Sequence, residues 1–221
     1  MASSPDVVRL HDLMLRKARR VCIKASPALE FSGLERALPV LSEVIIVSVD
    51  GECKEVLLLL DREHETGRKP EIRAVCLGSE TFEIASSGDE PPDRVVAEAP
   101  GAWLYEPDAA IIKARLTGEL ARQMELEFLN RTVDYLTSER LVERFPGRCF
   151  RIEECHPFRP KSFRKELAEL GIKKAAIQRR DFPLSVEELR KCYKIGESSE
   201  RYLFFTKDAL GGLILLSCRK P

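Results

Sequence analysis

A chain of 221 residues with 44% hydrophobic and 33% charged side chains suits one large or two modest globular domains, with enough apolar residues to fold without disulfide or metal staples. That balance excludes a disordered polymer. No apolar run approaches the ~20 residues that cross a bilayer, so a helical membrane span is excluded too. The 36 Lys and Arg offset 36 Asp and Glu, and the whole-chain charge gives no sign of a polyanionic partner.

The charge is nonetheless unevenly placed. Residues 1–147 hold 19 Lys and Arg against 26 Asp and Glu, a net of −7, and residues 148–221 hold 17 against 10, a net of +7. Such asymmetry points to two functional parts, the basic one suited to a polyanion. The seven cysteines, at positions 22, 53, 76, 149, 155, 192 and 218, are odd in number and contain no Cys-x-x-Cys. They read as reduced thiols of a cytoplasmic protein, used as small apolar groups. The opening Met-Ala-Ser-Ser-Pro-Asp has no apolar targeting region.

In chain order, Ser4, Pro5 and Asp6 have the cap, first-turn proline and first-turn acid of a helix. Val7, Leu10, Leu13, Met14 and Ala18 supply its apolar stripe, and Arg16, Lys17, Arg19 and Arg20 its cationic end. Residues 20–25 read as a strand, and Ser32 with Glu35 has capping-box spacing for a short helix ending before Pro39. Two aliphatic runs flank Asp50-Gly51, a strong hairpin signal. Their unbroken Val, Ile and Leu predicts burial on both faces. Two more short strands follow at 71–77 and 81–84. Residues 86–102 are acidic and Pro-rich, the expected boundary. Pro107 starts a helix through Leu120, and residues 138–145 form another, stopped by Pro146-Gly147. From Arg148 the order is β-α-β-α-β-β. It includes a helix over 161–170 stopped by Gly171, a capping box at Ser185 and Glu188, and a closing hairpin turned by Gly211-Gly212.

Few residues suggest chemistry. Cys53, in Glu-Cys-Lys-Glu, has Lys54 to lower its pKa, but it opens an apolar strand with no histidine near in sequence. Cys149, Cys155 and His156 are the single Cys/His cluster and lack the paired spacing of a zinc site. No glycine-rich phosphate loop occurs, so no catalytic or metal residue is assigned. The strongest signal is ten cations of the tail: Lys161, Arg164 and Lys165 on one helix, Lys173, Lys174, Arg179 and Arg180 around a strand, and Arg190, Lys191 and Lys194 at the next helix end. Together they could neutralise phosphates. The alternative is a solvated face whose last three cations serve the helix dipole.

Four stretches carry a family resemblance: 42–59 with Val-Asp-Gly-Glu-Cys-Lys-Glu, Trp-Leu-Tyr-Glu-Pro-Asp-Ala-Ala-Ile-Ile-Lys-Ala at 103–114, Phe-Pro-Gly-Arg-Cys-Phe at 145–150, and Arg-Arg-Asp-Phe-Pro-Leu-Ser-Val-Glu-Glu-Leu-Arg-Lys at 179–191. They resemble the C-terminal region of bacterial class I S-adenosylmethionine-dependent methyltransferases with a THUMP-like domain. The resemblance implies an α/β fold with three parts: the late strands of a Rossmann-like methyltransferase sheet over 1–102, a ferredoxin-like connector over 103–147, and a small α/β THUMP-like domain over 148–221. It implies RNA as partner, tRNA foremost, with DNA left open. The family holds its cofactor with a glycine-rich loop after the first strand, an acid ending the second and a motif after the fourth. None is present, so no cofactor-binding or catalytic residue carries over. S-adenosylmethionine is not expected to bind this chain alone. The chain is therefore expected to be a C-terminal portion, truncated or split, that needs another chain for the missing strands. A non-catalytic protein-interaction module is the remaining alternative.

Overall fold

The computed structural model describes residues 6–86 and 90–221. In chain order the elements are α1 (Val7–Lys17), β1 (Arg20–Ala25), α2 (Leu34–Ala37), β2 (Leu41–Val49), β3 (Glu52–Asp61), β4 (Glu71–Leu77), β5 (Phe82–Ala85), β6 (Trp103–Pro107), α3 (Ala109–Ala114), α4 (Thr117–Gln123), β7 (Glu127–Phe128), β8 (Leu136–Ser138), β9 (Gly147–Pro157), α5 (Phe163–Glu169), β10 (Ala176–Arg179), α6 (Val186–Tyr193), β11 (Tyr202–Lys207) and β12 (Leu213–Arg219). They build a mixed α/β chain of two compact units. The first takes the residues up to Pro92 and Asp108–Leu120, the second Asp93–Pro107 and Ala121–Pro221.

The first unit is a five-stranded sheet in the order β1-β3-β2-β4-β5. Asp50 and Gly51 both take positive φ, 50° and 79°, the two-residue turn that matches the twist of the antiparallel pair β2–β3. β2 then runs parallel to β4. One face of the sheet is fully buried: Val44, Ile46 and Ser48 of β2, Val56, Leu58 and Leu60 of β3, and Ala74 and Cys76 of β4. α3 packs over it, where Asp108 caps the helix by accepting from Ala110 N at 2.8 Å and also hydrogen-bonds the Cys76 thiol. The alternate residues Ile45, Val47, Leu57 and Leu59 are only half-buried. Burial on both faces is thus corrected to burial on one, because the described helices of this unit cover the second face only in part.

Two helices of the first unit also differ from expectation. α1 is capped by Asp6, which accepts from Arg9 N at 3.2 Å; Ser4 and Pro5 lie outside the described residues. Its buried residue is Leu15, while Leu10 and Leu13 are 38% and 54% exposed. The helix rests only on β1 and β3, so its inward line runs through Val7, His11 and Leu15 rather than the expected stripe. α2 is one turn long and starts from Gly33, which is left-handed at φ 82° and leaves Ser32 outside the helix, so the capping box is not made.

The second unit is a seven-stranded sheet in the order β10-β11-β12-β9-β6-β8-β7. Only β10 and β11 are parallel. Both faces are covered. α5 and α6 pack on one through Phe163, Leu167 and Leu189, against Phe158, Phe182, Phe205 and Leu215. On the other, Tyr135, Phe150, Tyr202, Phe204 and Leu216 form a second cluster. Hence all five residues from Tyr202 to Thr206 are buried. The expected β-α-β-α-β-β order of the tail is present as β9-α5-β10-α6-β11-β12, with the Ser185 capping box formed. Gly171 at φ 64° ends α5, and Gly211 at φ 85° turns the hairpin.

Three expectations between 103 and 147 are corrected. Trp103–Pro107 is a strand, paired with β9 and β8. The single helix after it is broken at Arg115, left-handed at φ 61°, into α3 and α4. Residues 138–145 are not helical. Tyr105 holds them as a loop: its hydroxyl donates to Arg140 O at 2.9 Å and accepts from Val142 N at 2.9 Å, and its ring meets Phe145 at 4.9 Å. These contacts take the backbone groups a helix would need.

Candidate nucleic-acid interface

The basic residues divide by what their side chains already do. Arg190 donates to Ile195 O at 3.1 Å, Gly196 O at 2.9 Å and Ala175 O at 3.2 Å. Arg164 donates to Cys192 O at 2.7 Å. Both satisfy carbonyls at or beyond the end of α6, where cations also complement the helix dipole. Arg179 donates to Phe182 O at 3.0 Å. Arg180 donates to Glu106 Oε1 at 3.1 Å and lies 5.1 Å from the Tyr135 ring centroid. Arg148 binds the other oxygen of the same carboxylate. Glu106 is buried at 8% exposure, so Arg148 and Arg180 neutralise a charge that could not stand alone there. Burial, then the Glu106 carboxylate, pushes the Tyr135 phenol above its ordinary pKa. Sequence alone offered no signal for this cluster, whose members come from four separated segments.

The lysines are the free cations. Lys161, Lys173, Lys174, Lys191 and Lys194 are exposed, and none is ion-paired among the described residues. Lys165 makes only an exposed i,i+4 pair with Glu169 at 3.5 Å, which is worth little. Backbone bonds gather part of the set. Gly196 N donates to Lys173 O and Ala175 N to Gly196 O, both at 2.9 Å. With the Arg164–Cys192 bond, they bring Arg164, Lys173, Lys174, Lys191 and Lys194 around the end of α6. Arg179 and Arg180 stand at the other end of β10, about 16 Å along the chain from Lys174 at strand rise. The ten residues therefore make one lysine-rich cluster and a separate arginine pair.

The thiols offer no activated nucleophile. Burial raises Cys53, partly offset by Lys113. Burial and Asp108 push Cys76 up to about 12, and burial pushes Cys149 up to about 11. Cys149 and Cys155 are separated by about 20 Å of strand, and His156 Nε2 lies 2.8 Å from Glu154 Oε2. No group of three or more potential metal ligands occurs among the described residues. A surface hollow of about 240 Å³ lined by His156, Arg159, Glu166 and Glu169 is smaller than the ~300–1,000 Å³ of ordinary ligand sites. No helix is long and apolar enough to cross a membrane.

S-adenosylmethionine does not fit the residues present. β2 turns straight into β3 through two residues, and β4 turns into β5 through residues 78–81. The loop after β1 carries one glycine, Gly33. None of these turns is a glycine-rich cradle before a helix, facing an acid at a neighbouring strand end.

Residues 147–220 match the family described as THUMP domain-like. Two relatives from strains of Mycobacterium tuberculosis, each described as an uncharacterized S-adenosylmethionine-dependent methyltransferase, are 24% identical over 197 residues, which is 89% of this chain and 52% of theirs. The crystal structure of a presumed methyltransferase from Porphyromonas gingivalis W83 superposes with a TM-score of 0.88 at 30% identity, over 98% of this chain and 55% of that one. The chain thus spans about half the length of the bacterial methyltransferase relatives it matches, and its last third is THUMP-like.

Proposed function

We propose that this chain is the RNA-binding part of an S-adenosylmethionine-dependent RNA methyltransferase, with tRNA as the substrate class. The THUMP domain-like match over residues 147–220 carries the reading, and it falls on the region with the net charge of +7. Lys173, Lys174, Lys191 and Lys194 are the phosphate contacts, with Lys161 and Lys165 extending the track. They position the RNA and carry little base specificity. Residues 103–147 serve as the connector, and the unpaired state of all seven cysteines accords with a cytoplasmic protein. Reversal of Lys174 and Lys194 to Glu should weaken RNA binding at least tenfold. It should also flatten the dependence of log affinity on log salt by about 0.7 for each phosphate no longer neutralised. Filter binding that shows neither change would rule out this surface.

A second reading concerns catalysis. β1 is an edge of the first sheet, the sheet's second face is half-covered, and Leu10 and Leu13 of α1 are exposed. Further strands, in the same polypeptide or a partner chain, would pair with that edge and supply the cofactor site. Calorimetric titration of S-adenosylmethionine into the 221-residue chain should give no binding heat. Micromolar binding would overturn this division of labour.

A further inference from the structure

The turn between β11 and β12 combines a rigid backbone with an apolar tip. Leu210 is 98% exposed. Below it, Asp208 Oδ1 accepts from Leu210 N at 3.0 Å and Gly212 N at 2.7 Å. Asp208 N donates to Gly212 O, and Gly211 N to Asp208 O. The buried Asn130 amide anchors the turn from outside by donating to Asp208 O at 2.6 Å. Asn130 is itself tied to Thr132, whose hydroxyl donates to Asp181 at 2.6 Å, and Lys207 pairs with the same Asp181 oxygen at 2.8 Å. A flexible loop would tuck a leucine against the nearest apolar surface. This turn holds it in water.

We propose that Leu210 is a wedge that packs against an unpaired base of the RNA partner. The inference rests on the RNA-binding reading above. A single leucine on a turn completed by Gly211 and Gly212 is far too small for a stable protein interface, which takes about 800 Å² from each side. It is the size of the apolar side chains that insert between bases in nucleic-acid complexes, and splayed RNA bases present such faces. The two glycines let the phosphate backbone approach closely. Arg131, next to Asn130, and Arg179, two residues before Asp181, are exposed cations on the segments that brace the turn. They would hold the strand on either side of the wedged base.

Because Leu210 touches almost nothing, its substitution leaves the fold intact and the test clean. The probe is a hairpin RNA with 2-aminopurine at each unpaired position in turn, titrated with the 221-residue chain. Leu210→Ser should weaken binding about tenfold and abolish the fluorescence change at one position. The salt dependence should stay as in the wild type, since every phosphate remains neutralised. Leu210→Phe should restore both affinity and signal. If Leu210→Ser binds and reports like the wild type while Lys174→Glu still weakens binding, the wedge is wrong and the RNA reading stands. No binding by the wild-type chain overturns both. A self-associating chain that Leu210→Ser converts to monomer in sedimentation equilibrium assigns the tip to contact between copies and overturns the wedge.

Discussion

The two sheets differ in how many faces they bury. In the second unit, β11 sends Leu203 and Phe205 into one core and Tyr202 and Phe204 into another. In the first, β2 and β3 bury every other residue, leaving the alternates half in solvent. The second sheet holds its two cores within itself. The first has aliphatic surface and an open strand edge still able to accept more chain. A half-covered sheet in a chain about half as long as its relatives is what a divided domain would present, and a doubly covered one is what a self-standing module needs.

The largest effect that would sharpen this contrast is in the doubly covered sheet. Phe205 is fully buried among Phe158, Phe163 and Phe182, so Phe205→Ala should cost about 4 kcal/mol in a denaturant titration. Arg190→Ala, which orphans three carbonyls, should cost about 2 kcal/mol. Arg190→Lys should not rescue it, because an ammonium cannot reproduce the guanidinium fork. Leu57→Ala, on the half-covered face, should cost only about 1.5 kcal/mol. A loss equal to that of Phe205→Ala would break the contrast. The smallest effect is electrostatic. Hydrogen bonds from Lys207 and Thr132 hold the Asp181 carboxyl below its ordinary pKa. Its contribution to stability is therefore present above the unfolded value of about 3.9 and fades as pH falls through the folded one. Lys207→Gln should move the carboxyl midpoint upward in an NMR titration; an unmoved midpoint would show that the Lys207 pair is not holding it.

Local rules read much of the fold. Residues 20–25, the Asp50-Gly51 turn, the Ser185 capping box and the Gly211 turn depend on neighbours within a few positions, and each is found as expected. The failures depend on distant partners. Residues 138–145 have a helical pattern, but the Tyr105 hydroxyl, more than thirty residues earlier, claims their backbone. The basic residues show the same limit. Nothing in sequence distinguishes Arg190, which is spent on three carbonyls, from Lys191, which is exposed beside it. The Leu210 tip had a faint local signal, an Asp two residues before a Leu-Gly-Gly, which is the spacing of an Asx turn. Its anchoring by Asn130 could not be seen.

α3 reaches the first sheet only after the chain has passed through β6. During synthesis the face bearing Val44, Ile46, Val56 and Leu58 must therefore wait, uncovered, for residues 109–114 to leave the ribosome. A fragment ended at residue 102, where composition suggests a natural cut, would keep that face bare permanently. Such a piece should emerge as aggregate, whereas one carried through residue 120 should stay in solution.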